Sequence, residues 1–455
     1  MRISKFRVVQ ILLLSLLSGL AACSSQPAIP PTGTGQPSPT SPPPAITEGS
    51  GSAAPTAGPV TGGDVQVATG TPAESMLEIT TEATTGQGAG TALPVAGSAT
   101  SSAPSKTGAP GTAATSRPAP TVQVPTEQPL PTPQPIAGVL TDFPPDVNPL
   151  TGEKEASADV LNHIPLLIKV SNSPSIVRPQ NGLSAADMVF EHYAEGGVTR
   201  FTALFWDQLP RLVGSNRSMR LIDLELPAIY HAFFAYSGSS AGVHQKLLAS
   251  DYYAQRRVIS PELGQGAPIF NRIPNGKAYE HTLFVDPRAM RNEAIRRGLD
   301  RKPDLRGMGF SSTLPAGGSP ASQVTVGYTA NNVLWKYSAG SGRYLRWDDG
   351  VAQTDANNGQ QLSAANVAVL YVNQVTTLIL EDVAGAGHYS IEIQLWGSGP
   401  MKLFRNGQVF NGTWHRPQRN GMLTFTGADG QLLPFQVGNT WFQVVPLNFG
   451  GLRVQ

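Results

Sequence analysis

The spacing of hydrophobic and polar positions divides the chain before any side-chain chemistry is considered. An apolar run from Val8 to Leu20 follows a basic start, the stretch from Ser24 to Val147 holds no sustained period, and alternating and helical patterns recur from Asn148 onward. Leu166–Val170 reads as a buried strand. Asp187–Glu195 and Val198–Trp206 alternate around Gly196-Gly197, which predicts a hairpin. If the two glycines alone form the loop, Tyr193 faces Arg200 and Glu191 faces Thr202. Met188, Phe190, Phe201, Ala203 and Phe205 then make a core face, and Glu191, Tyr193, Glu195, Arg200 and Thr202 share the other. Ala228–Tyr236 reads as a buried strand, Ala241–Tyr252 as a helix, and Asp286-Pro287 as the cap and first-turn residue of a helix over Arg288–Arg297, whose arginines read as a solvated face. From about residue 324 strands prevail, with Asn406-Gly407 and Asp429-Gly430 as hairpin turns.

Composition sharpens these boundaries. The chain has 455 residues, 32 basic and 31 acidic, for a net charge of +1, so a general nucleic-acid binder is not expected. Its 40 Pro are concentrated unevenly. Residues 24–147 hold 23 of the prolines, eight acidic residues and two basic ones, which leaves too little apolar surface for a core and predicts a long disordered tether. As a flexible coil it reaches roughly 60 Å. The opening run is too short to span a bilayer of roughly 30 Å, and Leu20-Ala21-Ala22-Cys23 reads as the lipobox that ends a signal peptide over residues 1–22. Cys23, the only cysteine, becomes the lipid-bearing residue, so no internal disulfide forms and the expected location is extracytoplasmic, anchored to the cell membrane.

Candidate chemistry gathers between residues 187 and 281. Two carboxylates, Glu191 and Glu195, with Arg200 on one sheet face suit a general acid and base, and suit a solvated salt-bridge ladder equally well. Arg217 and Arg220 stand three apart, which in a first helical turn aims both at one anion or at the neighbouring carboxylates. Gly238-Ser239-Ser240-Ala241-Gly242 matches the nucleophile-elbow pattern, with Ser240 as nucleophile and His244 or His281 as base; the same turn reads as a helix cap. His281 is a candidate acid, base or ligand, but seven scattered His and one Cys provide no metal centre, and no cofactor motif occurs.

Asn148–Gly152, Arg178–Ser184, Asp187–Phe201 and Val213–Arg220 resemble the N-terminal domain of the YerB-like lipoprotein family. Tyr337–Arg346, Leu403–Val409, Gly412–Arg416 and Gly438–Pro446 resemble its C-terminal domain. The resemblance implies an α+β chain, with a mixed α/β domain over residues 148–310 and a mainly β domain over 324–446. It supplies no reaction. Tyr279–Thr282 replaces the Ala-Pro-His-Asn usual in the family, so a role for that Asn does not carry over. The expected function is an envelope binding or scaffolding module that takes a cell-wall glycan, a peptide or another envelope protein through Arg200, Arg217, Arg220 and Ser240. The alternative is a wall-polymer hydrolase or transferase using Glu191, Glu195 or His281.

Overall fold

The computed structural model describes residues 138–381 and 387–455. The signal segment, Cys23 and nearly all of the tether lie outside the described residues.

Strands β1 (Leu166–Ser171), β2 (Met188–Tyr193) and β3 (Thr199–Phe205) pair antiparallel in the order β2-β3-β1. β4 (Phe233–Ala235) adds parallel to β1, and β5 (Val258–Ile259) adds parallel to β4. After the connection near residue 310, β6 (Gln323–Gly327), β7 (Asn332–Ser338) and β8 (Arg343–Asp348) begin a second, antiparallel sheet. β9 (Asn366–Val372) is followed by an arm of two strands, β10 (Gln374–Leu380) and β11 (Tyr389–Ile393). β12 (Gly397–Arg405), β13 (Gln408–Arg416), β14 (Thr424–Gly427) and β15 (Thr440–Pro446) complete the chain's larger strands. β15 lies between β9 and β2, parallel to both. That insertion fuses the two halves into one sheet of eleven strands, ordered β14-β13-β12-β9-β15-β2-β3-β1-β4-β5 with Ser319–Pro320 beside β13. The architecture is α+β, with α1 (Ala241–Leu248) and α2 (Pro287–Arg296) as its longer helices.

Every residue of β1 and β3 is buried, which a strand shows only when both faces of its sheet are covered. One core holds Phe190, Leu204, Trp206 and Phe442; the opposite core holds Phe201, Ala203, Trp335 and Trp441. Asn406, at φ 51°, and Gly407, at φ 71°, form the expected two-residue turn between β12 and β13.

Several expected elements are redrawn. The β2–β3 loop has three residues, Glu195–Gly197, closed by the Ala194 N–H donating to the Val198 carbonyl at 2.8 Å. The register therefore moves by one: Tyr193 faces Thr199, His192 faces Arg200 and Glu191 faces Phe201. A shift of one residue exchanges the two faces of one strand relative to the other, so Glu191 and Arg200 lie on opposite sides of the sheet. Ala228–Tyr236 is not one strand, because a helical turn at Leu226–Ile229 precedes it and His231, at φ 47°, breaks the extended run. The expected helix to Tyr252 stops at Leu248, since the Ser250 hydroxyl accepts from the Tyr253 N–H at 3.2 Å and starts a separate turn. Asp286 caps α2 as expected, but Arg291 on that helix is buried rather than solvated.

Candidate functional site

The Glu195–Gly197 turn, the extended segment Ser215–Arg220, the Tyr279–His281 turn and the β10–β11 arm meet at one end of β2 and β3. Ser215–Arg220 is drawn there by two neighbours. The Asn216 N–H donates to the Leu283 carbonyl at 2.7 Å, and its side-chain amide donates to the Lys169 carbonyl at 2.7 Å. Arg217 and Arg220 do not share a helical turn: Arg220 is the extended residue (φ −133°, ψ 173°) before a short 3₁₀ helix, Leu221–Leu224.

Glu195 is the hub of this end. Arg220 Nε donates to its Oε2 at 2.5 Å, Arg220 Nη2 bonds its Oε1, and Arg200 Nη2 donates to the same Oε1 at 2.9 Å. Burial pushes the Glu195 carboxyl upward, but the Arg220 hydrogen bonds and the two guanidinium charges prevail and hold it at about 2. Arg220 Nη1 also lies 3.5 Å from Glu381 Oε2, and Arg200 Nη1 donates to the Ser218 carbonyl at 2.8 Å. Burial, then the neighbouring Arg220 charge, lowers Arg200 to about 9.

Beneath this pair sits a fully buried network that sequence reading missed. Lys169 Nζ lies 2.7 Å from Asp223 Oδ2, 2.7 Å from His192 Nε2 and 2.9 Å from Thr202 Oγ1, which itself donates to Asp223 Oδ1 at 2.8 Å. His192 Nδ1 faces the Tyr193 carbonyl at 2.9 Å, so the ring fits this site as the neutral tautomer, donating from Nδ1 and accepting from Lys169 at Nε2. Burial and the adjacent Lys169 charge hold His192 down at about 3, and burial lowers Lys169 to about 8. The signal was present in the sequence: a Lys inside the apolar run Leu166–Val170 requires a buried partner.

Arg217 is different from its neighbours. It is half-buried, its Nη1 donates only to the Glu280 carbonyl at 3.3 Å, and its buried Nε has no hydrogen-bond partner among the described residues. His281 stands within electrostatic reach of it. That ring is buried, its Nδ1 also lacks a hydrogen-bond partner among the described residues, and burial followed by the Arg217 charge lowers its pKa. Arg200 and Arg220 face Glu195 and Glu381, while Arg217 stands at the edge with the exposed Glu280 carboxylate as its main opposite charge.

The remaining candidates separate. Ser240 is the N-cap residue of α1, on a turn bonded to the arginine segment through Ser237 and Gly238. Its φ of −72° and ψ of 158° are ordinary extended backbone, without the strain of a nucleophile elbow, and its hydroxyl makes no capping bond. Glu191 is fully buried on the far side of the sheet. It takes bonds from Arg346 Nη2 at 3.0 Å, Thr199 Oγ1 at 3.0 Å and Gln443 Nε2 at 3.1 Å. The Arg346 guanidinium is itself enclosed by Trp441, Trp335 and Phe201 rings, at 4.6, 5.2 and 5.5 Å. Among the described residues no cluster of His, Cys, Asp and Glu could hold a metal ion.

Comparison with known proteins follows this architecture. Residues 150–300 match the N-terminal domain of "Protein of unknown function (DUF3048)" and residues 324–442 match its C-terminal domain. The chain is 31% identical over 304 residues to "Putative lipoprotein YerB" of Bacillus subtilis (strain 168), covering 66% of this chain and 86% of that one. The crystal structure of the YerB protein from Bacillus subtilis matches with a TM-score of 0.57 at 26% identity, covering 68% of this chain and 99% of that one.

Proposed function

The chain belongs to this DUF3048, YerB-like family, and we propose that its folded region is a noncatalytic recognition module of the cell envelope, tethered by lipid on Cys23, that binds a carboxylate- or phosphate-bearing ligand at Arg217. The carrying observation is the Arg217 guanidinium: it keeps a buried Nε–H without a partner among the described residues, next to two arginines whose charge is already met by Glu195 and Glu381. The half-buried guanidinium gains a charge-assisted bond when an anion arrives at its open side, while Arg200 and Arg220 stay locked and preorganise the site. His281 Nδ1 is a further buried ring nitrogen near it with no hydrogen-bond partner among the described residues.

The same geometry favours binding over hydrolysis. Glu191 is sealed from solvent and fully bonded, so no substrate reaches it. Glu195, held at about 2, stays ionised and is a poor proton donor or acceptor near neutral pH. The test is co-sedimentation of the mature chain with purified cell-wall material at low and high salt. Arg217→Ala should weaken binding at least about tenfold at low salt and flatten its salt dependence. Undiminished binding by Arg217→Ala would sink the reading, and so would product released from the wall by the unaltered protein.

A further inference from the structure

The tryptophans have divided fates. Trp206, Trp335, Trp414 and Trp441 are at most 1% exposed, whereas Trp396, between β11 and β12, is 43% exposed. It borders a groove of about 540 Å³ whose lining includes Leu224, Ile393, Asp251, Glu392 and Arg419. We propose that this groove is a saccharide site, taking a chain of uncharged N-acetylated pyranoses with one ring stacked on the Trp396 indole. The inference is independent of the anion reading at Arg217.

Three observations carry it. First, the backbone leading into Trp396 is anchored: Arg416 Nη1 donates to the carbonyl of Leu395, the residue before it, at 2.5 Å, and pairs with Glu225 Oε2 at 2.7 Å. Second, the planar polar groups beside it are fixed yet partly open. Arg419 is held by Glu225 at 3.0 Å and Asp251 at 3.1 Å, and the Arg419 and Asp251 side chains are 45% and 35% exposed. Such groups meet ring hydroxyls without a large ordering cost. Third, the charges balance: Glu225, Asp251 and Glu392 are matched by Lys246, Arg419 and the buried Arg416, which favours neither a cationic nor an anionic ligand. The axial C–H face of a pyranose is weakly positive and suits the negative face of an indole, while the partly exposed Leu224 offers an apolar seat for an acetamido methyl.

The experiment is titration of the mature chain with chitotriose, read by calorimetry and by the Trp396 indole N–H resonance. Binding should weaken at least about tenfold in Trp396→Ala and survive in Trp396→Phe. Cellotriose, which lacks the acetamido groups, should bind more weakly. The proposal falls if chitotriose at about 10 mM leaves the Trp396 resonance unmoved, if Trp396→Ala binds as the parent does, or if cellotriose binds equally well. Should Trp396→Ala fail to fold, the resonance shift in the unaltered chain decides alone.

Discussion

Replacing His192 by Gln should remove a large acid-sensitive component of stability. In the folded chain this ring is enclosed between the Lys169 ammonium and the Tyr193 carbonyl, and its pKa falls from 6.5 to about 3. The unfolded chain takes up a proton on this ring as pH falls through about 6.5, while the folded chain does not until about pH 3. Stability is therefore present above the unfolded value and drains away as pH drops. Between about pH 7 and about pH 4.5 this linkage amounts to about 2.5 kcal/mol. The total curve of the parent conceals it, because burial raises the Asp187 and Glu155 carboxyls, Glu155 to about 7, and their linkage has the opposite sign in this range. The informative quantity is the difference between parent and His192→Gln urea midpoints, each converted to free energy, across that range. Gln can still accept from Lys169 and is neutral throughout, so its constant offset cancels. The gap between the two should shift by about 2.5 kcal/mol in favour of the variant on acidification. A gap constant to within about 0.5 kcal/mol would refute the neutral, buried assignment of His192.

Arg346→Met leaves the fully buried Glu191 without its ion pair and should cost about 3–5 kcal/mol, while the double variant Glu191→Gln with Arg346→Met should cost less than the sum of the single changes in a denaturation cycle. Gly197→Ala should lower stability by about 1–3 kcal/mol, because φ is 75° and a new Cβ would sit 2.8 Å from Thr329 side-chain atoms; Gly196→Ala, at φ 69° with its nearest neighbour at 3.6 Å, should cost less. Ser250→Ala removes the cap of the Asp251–Ala254 turn and should cost about 1 kcal/mol by thermal melting, with the larger part of the fold untouched.

Short-range patterns were legible in the sequence where the physics is short-range. β1, the Asn406-Gly407 turn and the Asp286 cap follow from apolar runs, turn chemistry and capping within a few residues of one another. The candidate site was legible in part: Glu195, Arg200 and Arg220 do meet, with Arg217 and His281 at the edge. Glu191 was misplaced because register depends on one residue of loop length, and alternation alone fits a two- or a three-residue loop. Glu381 was invisible as a partner, since the arm that carries it reaches Arg220 across about 160 residues of chain.

Taken alone, the sequence determined what depends on composition and local order: a cationic apolar start ending at Cys23, an acidic proline-rich stretch, and an α+β remainder that turns mainly to strand after residue 324. Tertiary structure decided which charges are satisfied. β15 pairs along the edge of β2 and a hydrophobic core lies on each face of the central hairpin, so side chains that alternate plainly along the chain all become buried, and their partners come from distant segments. Burial makes an unmet charge costly, and the fold meets those of Lys169, Glu191, Arg200 and Arg220 internally. Arg217 is left at the edge with a buried donor that has no partner among the described residues, and its difference from Arg200 and Arg220 exists only in three dimensions.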